Sequence, residues 1–328
     1  MLPLIYNNKK TQYIMEEKEK KDALESFISN TTKNPPIVPP VDEGQNGGYG
    51  DSLNYITVDL SVLPAGLFYK PGTTIMIRAA SVNEVQAYSS IDDKNYLDVT
   101  EKMNEMLSRC VKIRFHNGMI GTYKDLKDSD RLYLIFMIRE LTFQKNSNLA
   151  KDVTCGECKH EFKIQFRSTP GKDSPKTFVN YEMDKELEPF FNKMDRTFDI
   201  PIGDRMYKLA PPTIGIQEVF FKNIKDSVQA EKTPNVSFLK IIPFTLWDRK
   251  TITDDGIKAK EEEFKKMDDM DTFLDLDEAV SKMLFGIKEL KMSCPVCGEE
   301  VHTDMTFPKG ASSIFKRGTS LFERRAKK

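Results

Sequence analysis

Two Cys-x-x-Cys turns constrain this chain more than any other feature: Cys155-Gly-Glu-Cys158 and Cys294-Pro-Val-Cys297, with residues 159–293 between them. Such a turn presents two thiolates to one tetrahedral cation, and two turns complete a closed four-thiolate zinc site. Each pair leads through polar residues into an alternating stretch, residues 161–166 and 301–307, so each predicts a zinc knuckle feeding a strand. Disulfide or redox roles are the alternatives. Neither pair has a thioredoxin-like strand and helix setting, and a reducing compartment disfavours structural disulfides. The expectation is one structural zinc per chain, held by Cys155, Cys158, Cys294 and Cys297. His160 and His302 lie beside the pairs, but four thiolates already fill such a site. A closed site leaves no position open for a substrate, so its expected role is to clamp two distant parts of the chain. Cys110 falls at helical spacing after Met103, Met106 and Leu107 and reads as a small core residue.

At 328 residues the chain has room for about two domains, each able to bury a core. Its 49 Lys+Arg and 50 Asp+Glu nearly cancel, which argues against a general nucleic-acid binder and leaves room only for local basic patches. No apolar run approaches the roughly 18 residues of a membrane span, and Met1-Leu-Pro-Leu-Ile-Tyr6 lacks the basic region and cleavage site of a secretory signal. An intracellular, membrane-free protein is expected. Neither phosphate-binding glycine loops nor the HExxH and GxSxG motifs occur, so no enzyme activity is expected.

Residues 1–56 read as an N-terminal arm: a charged helical stretch over 11–29 with Ile14, Leu24, Phe27 and Ile28 on one side, then a Pro-rich and Gly-rich linker. Beyond it the chain resembles itself. Residues 63–70 match 200–208, and residues 75–85 match 207–219 in order: a strand, a turn, then a helix start. Ser81 and Glu84 have capping-box spacing, and Thr213 is the corresponding cap. Helical periodicity is predicted over 128–143 and 276–290, ending in Ile138-Arg-Glu-Leu141 and Ile287-Lys-Glu-Leu290, each followed by a cysteine pair.

The predicted fold is therefore α+β and internally duplicated. A first repeat spans 57–167, a connector 168–195 and a second repeat 196–308, with the zinc joining the copies. Within the second copy, residues 248–271 form a polar insert whose 258–266 portion reads as a solvated helix face. The last segment, 309–328, carries seven basic residues against Glu323, interleaved with apolar ones. It reads as a docking peptide in which Ile314, Phe315, Leu321 and Phe322 fill partner pockets and Lys316 and Arg317 meet an acidic surface.

Taken together, Leu63-Pro-x-Gly-x-Phe-Tyr69, the Ile75-x-Ile-Arg78 strand, Asp130-Arg131-Leu132-x-Leu134, Ile138-Arg139, the cysteine pairs and Ser312-Ser-Ile-Phe315 resemble the baseplate hub and hub-assembly proteins of T4-like contractile-tailed bacteriophages. The resemblance covers roughly residues 57–315; the N-terminal arm and the 248–271 insert have no counterpart in it. It implies a non-enzymatic virion structural protein or assembly factor, located in the tail baseplate and assembled in the host cytoplasm. Its partners would be other baseplate and tail proteins or copies of itself. A zinc-ribbon nucleic-acid-binding regulator is the competing expectation, motivated by the paired cysteine turns and the basic tail.

Overall fold

A computed structural model describes residues 54–143, 149–170, 175–229, 240–246, 252–266, 270–307 and 310–315. The N-terminal arm, with its expected helix, lies outside these residues. The first sheet is antiparallel, in the order β1 (Ile56–Val58), β2 (Thr74–Ile77), β3 (Val111–Arg114) and β4 (Ile120–Gly121). Its alternation is that of a sheet with one covered face: Val58, Ile75, Ile77, Val111 and Ile113 point inward and are buried. Ser81 starts α1 (Val82–Ser89) through the expected capping box, its hydroxyl taking the Glu84 N–H while the Glu84 carboxylate takes the Ser81 N–H. Asn95 caps α2 (Tyr96–Cys110), and Cys110 is fully buried, as its spacing predicts.

The sequence of α3 (Arg131–Thr142) is apolar almost all round, with Tyr133 to Ile138 buried, so it runs through the centre of the first core instead of covering one side of it. Two hairpins follow the logic of the cysteine pairs. β5 (Ala150–Thr154) and β6 (Glu161–Gln165) flank the first; β11 (Ile287–Ser293) and β12 (Glu300–Thr303) flank the second, so the predicted strands after each pair are present. β7 (Phe178–Asn180) pairs with β11 to give a sheet ordered β12-β11-β7.

Between β7 and β11 the chain builds a second core. It contains the sheet β10-β9-β8, formed by β8 (Phe191–Asn192), β9 (Thr197–Ile202) and β10 (Arg205–Leu209), with α4 (Ile214–Gln229), α5 (Asp254–Lys265) and α6 (Met270–Lys282). Thr213 caps α4 as expected, its hydroxyl accepting the Ile216 N–H at 3.4 Å. On α5, Ile257 and Phe264 are buried and most described side chains of 258–266 face solvent, in keeping with a solvated helix.

The cores divide the chain at other places than 57–167 and 196–308. The first core gathers side chains from Val58 to Phe178 together with Ile214, Leu290, Ala311, Ile314 and Phe315, while the second draws mainly on Leu187 to Met283. The Tyr181 N–H bonds the Gly286 carbonyl at 3.0 Å, so the segment that builds the second core leaves and re-enters the first at one place. The second cysteine hairpin therefore packs with the first core, and the span read as a connector supplies β7. Two local readings also change. Residues 287–290 are strand, not helix: α6 ends at Lys282, and Gly286 at φ +136° directly precedes β11. Residues 63–70 form a 3-10 turn around Gly66–Phe68, whereas 200–208 form the β9–β10 hairpin, so those phrases match in letters and differ in shape.

Candidate metal centre

Each cysteine pair occupies the tip of a hairpin, and the two tips have the same backbone wiring. In the first, the Cys155 N–H bonds the His160 carbonyl at 2.9 Å and the Lys159 N–H returns to the Cys155 carbonyl at 3.2 Å. In the second, the Cys294 N–H bonds the Glu299 carbonyl at 2.7 Å and the Gly298 N–H returns to the Cys294 carbonyl at 2.9 Å. The residue after the second cysteine is left-handed in both, Lys159 at φ 60° and Gly298 at φ 79°. Glycine adopts that conformation freely; lysine does so at a cost of about 1–2 kcal/mol.

Packing behind the tips sets the hairpins against one another. Phe166 stacks on Phe307 at 5.7 Å and on Phe136 of α3, also at 5.7 Å, while Val153, Phe162, Met292 and Val301 pack around the same core. Lys151 of β5 forms an ion pair with Asp304 beyond β12 and donates to the Thr306 hydroxyl at 2.8 Å, a second tie between the hairpins.

At the tips, the four sulfurs lie within 4.8 Å of one another. Cys155 Sγ is 3.5 Å from Cys297 Sγ, and Cys158 Sγ is 3.6 Å from Cys294 Sγ. A disulfide would need about 2.05 Å. Zinc–sulfur bonds of about 2.3 Å in a tetrahedron place sulfurs about 3.8 Å apart, close to these separations. The donor set is soft and compatible with zinc, and all five cysteines carry free thiols. Cys155 and Cys294 are buried while Cys158 and Cys297 face solvent, so the cluster has an inner and an outer side.

Electrostatics also prepare the cluster for a cation. The N–H groups of Cys297 and Val296 favour the Cys294 thiolate, which brings that thiol down to about 6. At Cys297 the Glu299 N–H favours the thiolate, yet the sulfurs of Cys158, Cys155 and Cys294 push it up to about 12. Without a cation the four sulfurs cannot all hold charge; a divalent ion between them removes that repulsion and releases the protons.

The four predicted ligands are thus brought together, and the predicted docking residues are not a surface. Ile314 and Phe315 are fully buried in the first core, which corrects their reading as partner contacts. Phe315 packs edge-on to Tyr88 at 4.7 Å and beside Phe143 at 6.3 Å, and buried Arg139 donates through Nε to the Ile314 carbonyl. Ser312 gives its N–H and hydroxyl to the Asp93 carboxylate at 2.7 and 2.6 Å. The apolar residues next to the basic tail serve the chain's own core. Lys316, Arg317, Leu321 and Phe322 lie outside the described residues.

Sequence reasoning missed the node at Asp130. This carboxyl is fully buried, accepting the Ala65 N–H at 2.7 Å and the Tyr69 hydroxyl at 2.8 Å, and burial pushes it up to about 7. Tyr69 Oη in turn accepts the Lys127 N–H at 2.8 Å, and Lys127 Nζ reaches the Pro211 carbonyl at 2.9 Å. The node holds the loop that sends Ala65 and Phe68 into the second core while Leu63 and Tyr69 stay in the first. Its partners are remote in sequence, so no local spacing announces it. Among the described residues no helix is long and apolar enough to cross a membrane. The chain matches no protein-family model, no curated protein and no solved structure.

Proposed function

We propose that this chain is a non-enzymatic structural or assembly component of the central hub of a contractile phage tail baseplate, working through protein contacts on a zinc-stabilised scaffold. The observation that carries the reading is that the phrases behind the resemblance touch one another. Tyr69 of the first phrase bonds Asp130 of another at 2.8 Å, and Arg139 of the Ile138-Arg139 phrase holds the carbonyl of Ile314 in the last. Phrases scattered over 63–315 are joints of one framework, which supports a family likeness in the framework and not in a catalytic centre.

In this reading the metal is zinc, one per chain, and the four thiolates of Cys155, Cys158, Cys294 and Cys297 hold it. Its work is mechanical: it fastens two hairpins that chain order keeps far apart. The two hairpin tips are copies of one zinc-knuckle unit, a duplication supported by their matched hydrogen bonds and matched left-handed residues. The neighbours are other baseplate and tail proteins. Mass spectrometry of purified virions and of tail-assembly intermediates tests the reading. Presence in virions supports the structural form, presence in intermediates alone supports the assembly form, and absence from both refutes it.

A further inference from the structure

The four sulfurs of the metal centre are not equivalent. Cys155 and Cys294 are buried behind the hairpin tips, while Cys158 and Cys297 face solvent, so each turn contributes one inner and one outer sulfur. Contacts between them cross from hairpin to hairpin. Outer Cys297 Sγ lies 3.5 Å from inner Cys155 Sγ, and outer Cys158 Sγ lies 3.6 Å from inner Cys294 Sγ. Packing behind the tips fixes this register: Phe166, just after β6, stacks on Phe307 at 5.7 Å, and Lys151 of β5 pairs with Asp304 and donates to the Thr306 hydroxyl at 2.8 Å. The fifth cysteine is set apart. Cys110 is fully buried in the first core beside Met106 and the Glu84 carboxylate, and burial pushes its thiol up to about 12.

We propose that the metal centre is an oxidation site with a set pairing, which peroxide converts into two disulfides that cross between the hairpins, Cys155 to Cys297 and Cys158 to Cys294. The inference rests on the metal reading above. An outer thiolate attacks a peroxide oxygen; the S–O bond forms, the O–O bond breaks and hydroxide leaves. The inner thiolate of the other hairpin then attacks the oxidised sulfur; the S–S bond forms, the S–O bond breaks and a second hydroxide leaves. Each pair gives up two electrons, and one hydrogen peroxide with two protons ends as two waters. Two such events consume all four thiolates and free the metal.

The pairing decides the mechanical outcome. A bond within a turn would join Cys155 to Cys158 or Cys294 to Cys297, and would release the hairpins from one another. Crossed bonds join residues 142 and 136 apart in sequence, so they take over the fastening and restrict the unfolded chain far more than a bond within a turn does. The clamp then holds in oxidising surroundings as well as in reducing ones.

The test is mass-spectrometric peptide mapping, without reduction, of the full-length zinc-loaded chain after treatment with hydrogen peroxide, with remaining thiols alkylated in denaturant and released zinc read by a chromogenic chelator. Expected are loss of the bound zinc, the two crossed peptide pairs, and Cys110 recovered as a free thiol. The oxidised chain is expected to keep its circular dichroism in excess chelator, whereas the reduced chain loses structure there. Dithiothreitol with zinc is expected to restore the original map. Bonds within the turns, bonds between chains, or sulfinic acids in place of disulfides overturn the proposal, as does full retention of zinc. Zinc stoichiometry before treatment separates this inference from the metal reading: a chain that holds no zinc refutes both, while a zinc-loaded chain that pairs otherwise refutes this inference alone.

Discussion

Asp130→Asn is expected to flatten the dependence of stability on pH. In the folded chain the Asp130 carboxyl titrates at about 7 because burial disfavours its charge, against a reference value of 3.8 in the unfolded chain. Between those values the folded state binds the proton and the unfolded state does not. The stability it supports is therefore complete below about pH 4 and is lost as pH rises through 7. The full loss is about 4 kcal/mol, of which about 2 kcal/mol falls between pH 5.5 and 8. Asparagine keeps an oxygen for the Ala65 N–H, but its amide can only donate to Tyr69 Oη, which displaces the Tyr69 hydroxyl hydrogen from its acceptor; that cost is the same at every pH, while the titration disappears. Urea unfolding of both proteins with zinc present, at half-unit steps from pH 5.5 to 8, reads the difference. Comparing the two at each pH cancels the titration of groups that do not sense Asp130; Lys127 does sense it, so both proteins also carry Lys127→Met. The Asp130→Asn protein should gain about 2 kcal/mol across the range on the one that keeps Asp130. A difference that stays constant within about 0.5 kcal/mol would refute the assignment of a buried, proton-holding Asp130.

Other perturbations test other parts of the account. Cys155→Ser and Cys294→Ser should each release the metal and lower unfolding free energy by more than about 4 kcal/mol, read by metal analysis and urea titration. Phe315→Ala should cost about 3–5 kcal/mol, because it empties a core position between Tyr88 and Phe143; a surface docking residue would cost under about 0.5 kcal/mol. Lys159→Gly should stabilise by about 0.5–1 kcal/mol, since it relieves a left-handed residue at φ 60°, and an unchanged urea midpoint would show that the tip is not held in that conformation.

The local grammar of this fold is written in its sequence, and the long-range part is not. The cysteine tips, the strands that follow them, the Ser81 capping box and the buried Cys110 all follow from spacings of a few residues. The helix expected over 276–290 stops at Lys282, a few residues short of a local signal, Gly286, where the backbone takes a positive φ before β11 begins. The domain division had no such signal. It depends on Tyr181 meeting Gly286 and on β7 pairing with β11, contacts that bring the second cysteine hairpin into the first core. Ile314 and Phe315 were misread for a related reason: flanking lysines and arginines describe the neighbourhood in sequence, while burial is decided by Asp93, Arg139 and Tyr88, which are remote in sequence.

The central claim is that Cys155, Cys158, Cys294 and Cys297 close around one zinc that fastens the two hairpins. Zinc-edge X-ray absorption on the purified full-length chain, together with metal stoichiometry, tests it most directly. The account predicts one zinc per chain with four sulfur neighbours at about 2.3 Å and no nitrogen or oxygen in the shell. A metal-free folded chain, or a shell with fewer than four sulfurs, would contradict it.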